Sequence, residues 1–143
     1  MRIIYTYSAI MFSSLLPFLL TASMATTTLS FIESAGISKA ETAETSKITQ
    51  VIHKVFGKDA PLMIRVAECE SSLRQTQDGK VLRGIVNSKD SGVFQINKDA
   101  HLEEAESLGL NVDKLEHNIL YAKYLFDKYG TKPWQYSKKC WSK

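Results

Sequence analysis

The chain has little of several things. Its 143 residues include two cysteines, three histidines and three prolines. His53, His101 and His117 are scattered, and none stands at ligand spacing from Cys69 or Cys140, so no metal centre is expected. Charge of one sign is scarce too. The net charge is +3 with a pI of about 8.8, and there is no Lys/Arg cluster. This argues against a nucleic-acid partner and leaves a mild attraction to anionic polymers. There is no internal repeat. With 44% hydrophobic and 23% charged residues, the composition is that of an ordinary globular protein, long enough for one domain after a short leader.

Charge is scarcest at the N-terminus, where Arg2 is the only charged residue before Glu33. The apolar core Ile10–Phe12 and Leu15–Leu20 is followed by small residues, and Ser23-Met24-Ala25 fits a small-x-small cleavage site. Residues 1–25 therefore read as an export signal, with Ser38-Lys39-Ala40 as a second cleavage candidate. The alternative is a retained anchor, although Pro17 and the Thr/Ser-rich patch from Thr21 to Ser30 interrupt the span. Membrane contact is expected through this segment alone, if it stays uncleaved. An exported location (periplasm, cell envelope or outside) favours one disulfide, Cys69 to Cys140, tying the middle of the chain to its tail. Two free buried thiols are the alternative.

Residues 26–45 are polar, rich in Ser, Thr and Ala, and lack a sustained period, so they read as a linker, with the folded domain spanning 46–143. Ile48, Val51, Ile52, Val55 and Phe56 recur at helical spacing up to Gly57. A second helix is expected from about Pro61 to Ser72, with Asp59 as N-cap and Pro61 in the first turn. Between Leu73 and Asn97 the turn formers Gly79, Gly84, Asn87 and Asp90 suggest a small β segment, with Asp78-Gly79 as a tight turn. Val81-Leu82 and Ile85-Val86 are its candidate strands. A helix over Lys98–Leu108 should end at Gly109, and Asp113 should cap the next one. There Leu115, Ile119, Ala122, Phe126 and Tyr129 form the strongest helical pattern in the chain, closed by Gly130. The expected class is α+β, mainly helical.

Two carboxylates near the end of the second helix suggest chemistry. Residues two apart on a helix point to nearly opposite faces, so Glu68 can face solvent while Glu70 faces inward. A partly buried carboxyl there is held protonated toward neutral pH and can act as a general acid. Within the compact run Gly92–Asn97, the Gln95 amide is either satisfied internally or turned toward a polar ligand. The aromatics Tyr121, Tyr124, Trp134 and Trp141 suit either a core or a sugar-binding cleft.

Taken together, these residues resemble the lysozyme-like superfamily, in particular Slt-type lytic transglycosylases. Glu70-Ser71 at a helix end, Gly92-Val93-Phe94-Gln95-Ile96, and Asn118-Ile119 leading into Tyr121-Ala122 match its motifs in order, over about two-thirds of the chain. The Ala-Tyr-Asn-Ala-Gly motif of larger members is absent. Asp90-Ser91-Gly92-Val93-Phe94-Gln95-Ile96-Asn97 also resembles the stretch of animal-type lysozymes that bears a second catalytic carboxylate. The resemblance implies a lysozyme-like domain with a groove for peptidoglycan glycan strands and no cofactor, and a monomer is expected. It implies Glu70 as general acid and then base, Ser71 and Gln95 as positioning residues, and Asn118 and Tyr121 lining the groove. The implied reaction is cleavage of the β-1,4 bond between N-acetylmuramic acid and N-acetylglucosamine with a 1,6-anhydro product. The alternatives are a hydrolytic muramidase using Glu70 and Asp90, and an inactive wall-binding module.

Overall fold

The computed structural model describes the backbone of residues 25–143 and the side chains of residue 39 and of 41 onward. By its contacts the chain divides after Ile37, and the compact unit described here is Ser38–Lys143. The expected export signal lies outside the described residues except for Ala25, where the first helix begins.

Helix α1 (Ala25–Phe56) buries Ile48, Ile52 and Phe56 and half-buries Val51 and Val55, as the periodicity predicts. It starts earlier than expected, so the segment read as a linker is helical. A helix shows an apolar period only where it packs, and extending an existing helix needs little more than compatible residues such as Ala, Glu and Lys. Glu44, from that segment, is bound into the fold. Its Oε1 accepts from the backbone N–H of Gln75 at 3.0 Å and of Thr76 at 3.2 Å, and from the Thr76 hydroxyl at 3.3 Å.

A 3₁₀ turn, Gly57–Asp59, leads into α2 (Ala60–Ser71), which has Pro61 in its first turn. Asp59 does not cap α2 with its side chain. It enters with helical backbone angles (φ −88°, ψ −3°), whereas a side-chain cap needs an extended residue. One side of α2 buries Ala60, Met63, Val66, Ala67 and Ser71.

Two small antiparallel hairpins follow. Strands β1 (Thr76–Gln77) and β2 (Lys80–Val81) flank Asp78-Gly79, and both turn residues have positive φ (52° and 72°) as a two-residue mirror-image turn requires. The expected pairing of Val81-Leu82 with Ile85-Val86 does not form, because β2 pairs backward across this turn. Ile85 and Val86 are instead fully exposed, at 104% and 101%. The second hairpin joins β3 (Asp90–Ser91) to β4 (Ile96–Asn97), with Asp90 opposite Asn97 and Ser91 opposite Ile96.

Helix α3 (Lys98–Ser107) is capped by Asn97, whose side chain accepts from Ala100 N–H at 3.1 Å. Helix α4 (Leu115–Tyr129) buries Asn118, Ile119, Tyr121, Ala122 and Leu125 and ends at Gly130. Lys114, not Asp113, is its flanking residue, and the Asp113 carboxylate is engaged elsewhere. The tail is a 3₁₀ segment (Lys132–Ser137) and a short α5 (Lys138–Trp141). The described part is thus mainly helical with two small hairpins.

The tail aromatics belong to the core. Phe126, Phe56, Phe94 and Trp134 form a line with successive ring centroids 5.8, 5.8 and 5.7 Å apart. Both tail indoles are buried and satisfied: Trp134 Nε1 donates to Phe94 O at 3.1 Å and Trp141 Nε1 to Trp134 O at 3.0 Å. Cys69 of α2 and Cys140 of α5 form the expected disulfide, with Cα atoms 6.0 Å apart across 71 residues of sequence. Such a bond is characteristic of oxidising compartments. Among the described residues no helix is long and apolar enough to cross a membrane.

Candidate active site

Helix α2 delivers Glu70 as its last residue but one. The next two residues past the helix, Ser72 and Leu73, both adopt left-handed backbone at φ 55°. For residues other than glycine this costs about 1–3 kcal/mol each and persists only where surrounding contacts enforce it. Here Ser72 N–H donates to Glu68 O at 2.9 Å and Leu73 N–H to Ala67 O at 3.4 Å, and Leu73 is buried. The chain therefore turns sharply just beyond Glu70 and enters the hairpins.

Glu68 is exposed and Glu70 half-buried, as their opposite helical faces predict. Burial is the largest influence on Glu70 and raises its carboxyl above the ordinary glutamate range. The hydrogen bond from Ser137 works against this, and the negative charge of Asp90 adds to it. Ser137 Oγ lies 2.6 Å from Glu70 Oε1. Three distant pieces of sequence thus converge on one carboxyl: the end of α2, strand β3 and the tail. The sequence places Asp90 among the turn formers of this segment. It is instead the first residue of β3, half-buried, and its Oδ1 accepts from Asn97 Nδ2 at 2.7 Å. The turn role falls to Asn87, whose Oδ1 accepts from Lys89 N–H at 3.0 Å.

The hairpin carrying Asp90 is held in place by two buried amides. Asn118 Nδ2 donates to Ser91 O at 2.9 Å and to Val112 O at 2.7 Å, and Asn118 Oδ1 accepts from Phe94 N–H at 3.0 Å. Gln75 Oε1 accepts from Val93 N–H at 3.0 Å while its Nε2 donates to Asp113 O, also at 3.0 Å. Gly92 sits between them at φ +69°. A Cβ there would lie 2.5 Å from Gln75 Oε1 and 2.7 Å from Asn118 Nδ2, so neither the backbone angle nor the space admits a side chain. Asp113 completes the frame. Its carboxylate takes two bonds from Arg83 at 3.0 and 3.1 Å, the Ser91 hydroxyl at 2.6 Å and Lys98 at 2.9 Å. Burial alone would raise this carboxyl, but those bonds outweigh it and hold it well below the usual range.

Four residues assigned to substrate contact or positioning are therefore committed within the fold. Asn118 is completely buried and does not line a groove. Tyr121 is equally buried, with its hydroxyl donating to Glu104 Oε2 at 3.0 Å and lying 3.2 Å from His101 Nδ1. Ser71 is buried, donates to Ala67 O at 2.9 Å and accepts from Arg74 N–H at 3.2 Å, so it shapes the turn after Glu70. Gln95, at φ +47°, directs both its backbone N–H and its Nε2 to Gly92 O, at 3.1 and 2.7 Å, so its amide nitrogen is satisfied internally. The sequence does not single out Ser137 or Gln75, and it points to Asp113 only as a helix cap.

The chain matches no family model, no curated protein and no solved structure with which it was compared. The site must therefore be read from its own geometry. Among the described residues no group of three or more His, Cys, Asp or Glu is placed to hold a metal ion. Two open concavities occur elsewhere on the described surface. One, of about 350 Å³, is lined by Arg83, Lys89 and Lys98 among others, and one, of about 580 Å³, by Lys132, Tyr136 and Trp141 among others. What the Glu70 arrangement supplies is a carboxyl held protonated above its usual range, a hydroxyl bonded to one of its oxygens, and a second carboxylate acting on it through space.

The framing role of Asn118 gives a direct test. Asn118→Leu leaves Ser91 O, Val112 O and Phe94 N–H without this partner in a buried setting. Each such group costs about 1–3 kcal/mol, partly relieved by relaxation. A loss of about 3 kcal/mol is expected in urea unfolding. A loss below about 1 kcal/mol would show that the amide is not what holds the hairpin.

Proposed function

We propose that this chain is an exported enzyme that cleaves the β-1,4 bond between N-acetylmuramic acid and N-acetylglucosamine in peptidoglycan, with Glu70 as its acid. The observation that carries the reading is the state of Glu70: a half-buried carboxyl, raised above the ordinary glutamate range, beside the hairpin that bears Asp90. The motif resemblance and the disulfide support it.

Glu70 protonates the departing glycosidic oxygen, the C1–O bond breaks, and positive charge develops on the muramic ring. The 6-hydroxyl of the same sugar then attacks C1, and Glu70, now a carboxylate, takes the hydroxyl proton. The product end is a 1,6-anhydro ring, and no water is consumed. One carboxyl serves both steps, because the form left by the first is the form required by the second. Incubating the protein with purified cell walls and following turbidity tests the reading. Clearing is expected, and unchanged turbidity with release of no soluble glycan would refute it.

A second reading, hydrolysis in the manner of a muramidase, is favoured by one observation, the action of Asp90 on Glu70. A retaining hydrolase needs a second carboxylate about 5 Å from the acid. Asp90→Asn separates the two. On the transglycosylase reading it retains activity within a few-fold at acid pH. With the neighbouring charge gone, the Glu70 carboxyl falls toward its ordinary range, and the pH at which activity declines moves down. A loss near a thousandfold, with reducing-end products from the parent protein, would establish the hydrolytic reading instead.

A further inference from the structure

We infer that Ser137 is a positioning residue that decides which oxygen of Glu70 carries the transferable proton. This rests on the reading of Glu70 as the acid and then the base. Ser137 Oγ is within bonding distance of two acceptors, Glu70 Oε1 at 2.6 Å and Trp134 O at 3.1 Å. A hydroxyl has one proton to donate. Trp134 O already receives the Trp141 indole N–H at 3.0 Å, and the contact with Glu70 is much the shorter. The hydroxyl proton therefore goes to Glu70. Among the described residues the one side-chain hydrogen bond to the Glu70 carboxyl is the one from Ser137 to Oε1, which leaves Oε2 open. In the neutral carboxyl, the oxygen accepting from Ser137 is the carbonyl oxygen, and the proton resides on Oε2. After the proton is given up, Oε1 keeps the same bond, and Oε2 is free to take a proton back. One side chain thus fixes the regiochemistry of both transfers without itself exchanging a proton.

The chain holds Ser137 there by a short covalent circuit. Cys69 precedes Glu70, and Cys140 follows Ser137 by three residues, about one helical turn. The disulfide between them closes a ring through the Ser137–Glu70 hydrogen bond. Of the charged groups around Glu70, Asp90 of β3 acts on it electrostatically. Glu68 lies on the outer face of α2, and Lys138 and Lys139, which follow Ser137, are exposed.

Ser137→Ala removes a bond that favours the charged carboxyl, so the Glu70 carboxyl rises further. The expected result has two parts. Carbon-13 detected titration of the Glu70 carboxyl moves upward. The pH at which wall-lysing activity declines moves upward with it, and activity on the acid side falls about tenfold. Ser137→Thr, which keeps the hydroxyl, restores the parent behaviour. A titration unchanged in Ser137→Ala would overturn the inference. So would an activity loss with an unmoved pH profile, since that is what a merely structural role produces. The titration needs no substrate, so a protein that fails to clear walls refutes the proposed function while the Ser137–Glu70 coupling is still decided.

Discussion

Glu70→Gln is expected to lower wall-clearing activity by about a hundredfold or more while leaving the protein folded. Glutamine keeps the size of the side chain and an oxygen able to accept from Ser137, but it has no proton to give. The same substitution should raise stability at neutral pH. The folded-state pKa of Glu70 lies above its unfolded value. The native state therefore binds more protons than the unfolded state between those two values, and stability falls as pH rises through that window. The penalty is absent below the unfolded pKa and fully present above the folded one. Removing the carboxyl removes the penalty, so Glu70→Gln should match the parent in acid and melt slightly higher at neutral pH. Glu68→Gln, on the exposed face, should change neither property. A Glu70→Gln protein as active as the parent would end the proposed mechanism. One destabilised at every pH would mean that Glu70 serves the fold.

Reduction of the Cys69–Cys140 disulfide is expected to produce the largest loss of stability. The bond spans 71 residues, and in the chain-entropy model a closure of that length contributes about 4 kcal/mol. This corresponds to about a thousandfold in the folding equilibrium. The effect should reach function as well, because the released tail carries Ser137 away from Glu70 and leaves Trp134 and Trp141 anchored by packing and their indole bonds alone. Cys140→Ser should therefore melt far below the oxidised parent and show the upward pH shift expected of Ser137→Ala. Both cysteines titrating as free thiols in folded, oxidised protein would contradict the disulfide. Equal melting of oxidised and reduced forms would contradict its energetic role.

Local patterns were legible in the sequence, and long-range pairings were not. The packed half of α1 and all of α4 follow from apolar residues at helical spacing, and Gly57, Gly109 and Gly130 stand just beyond α1, α3 and α4. The Asp78-Gly79 turn follows from its own chemistry. The strand partner of Lys80–Val81 is not legible because the apolar pair Ile85-Val86 downstream resembles a strand, while the actual partner, Thr76–Gln77, has no apolar pattern. The helical start of α1 is not legible because residues 26–45 show no sustained apolar period in the sequence. Asn118, Gln75 and Tyr121 carry no letter-level sign of burial, since a polar side chain is buried only when distant partners satisfy it, and those partners are chosen by the fold. Ser137 had a usable signal. A disulfide from the residue before Glu70 brings the turn before Cys140 to the same helix end, which is the signal that would have pointed to a hydroxyl three residues before Cys140. Asp90 stands among turn formers in the sequence, and only its register with Asn97 makes it a strand residue.

The central claim is that Glu70 gives and then retrieves one proton in cutting glycan strands. Mass spectrometry of the soluble fragments released from purified peptidoglycan tests it most directly, because mass reports cleavage and reaction type together. The expected fragments end in 1,6-anhydro-N-acetylmuramic acid, one water lighter than hydrolytic ends, and they disappear with Glu70→Gln. Fragments with reducing ends that depend on Asp90, or no released fragments at all, would contradict it.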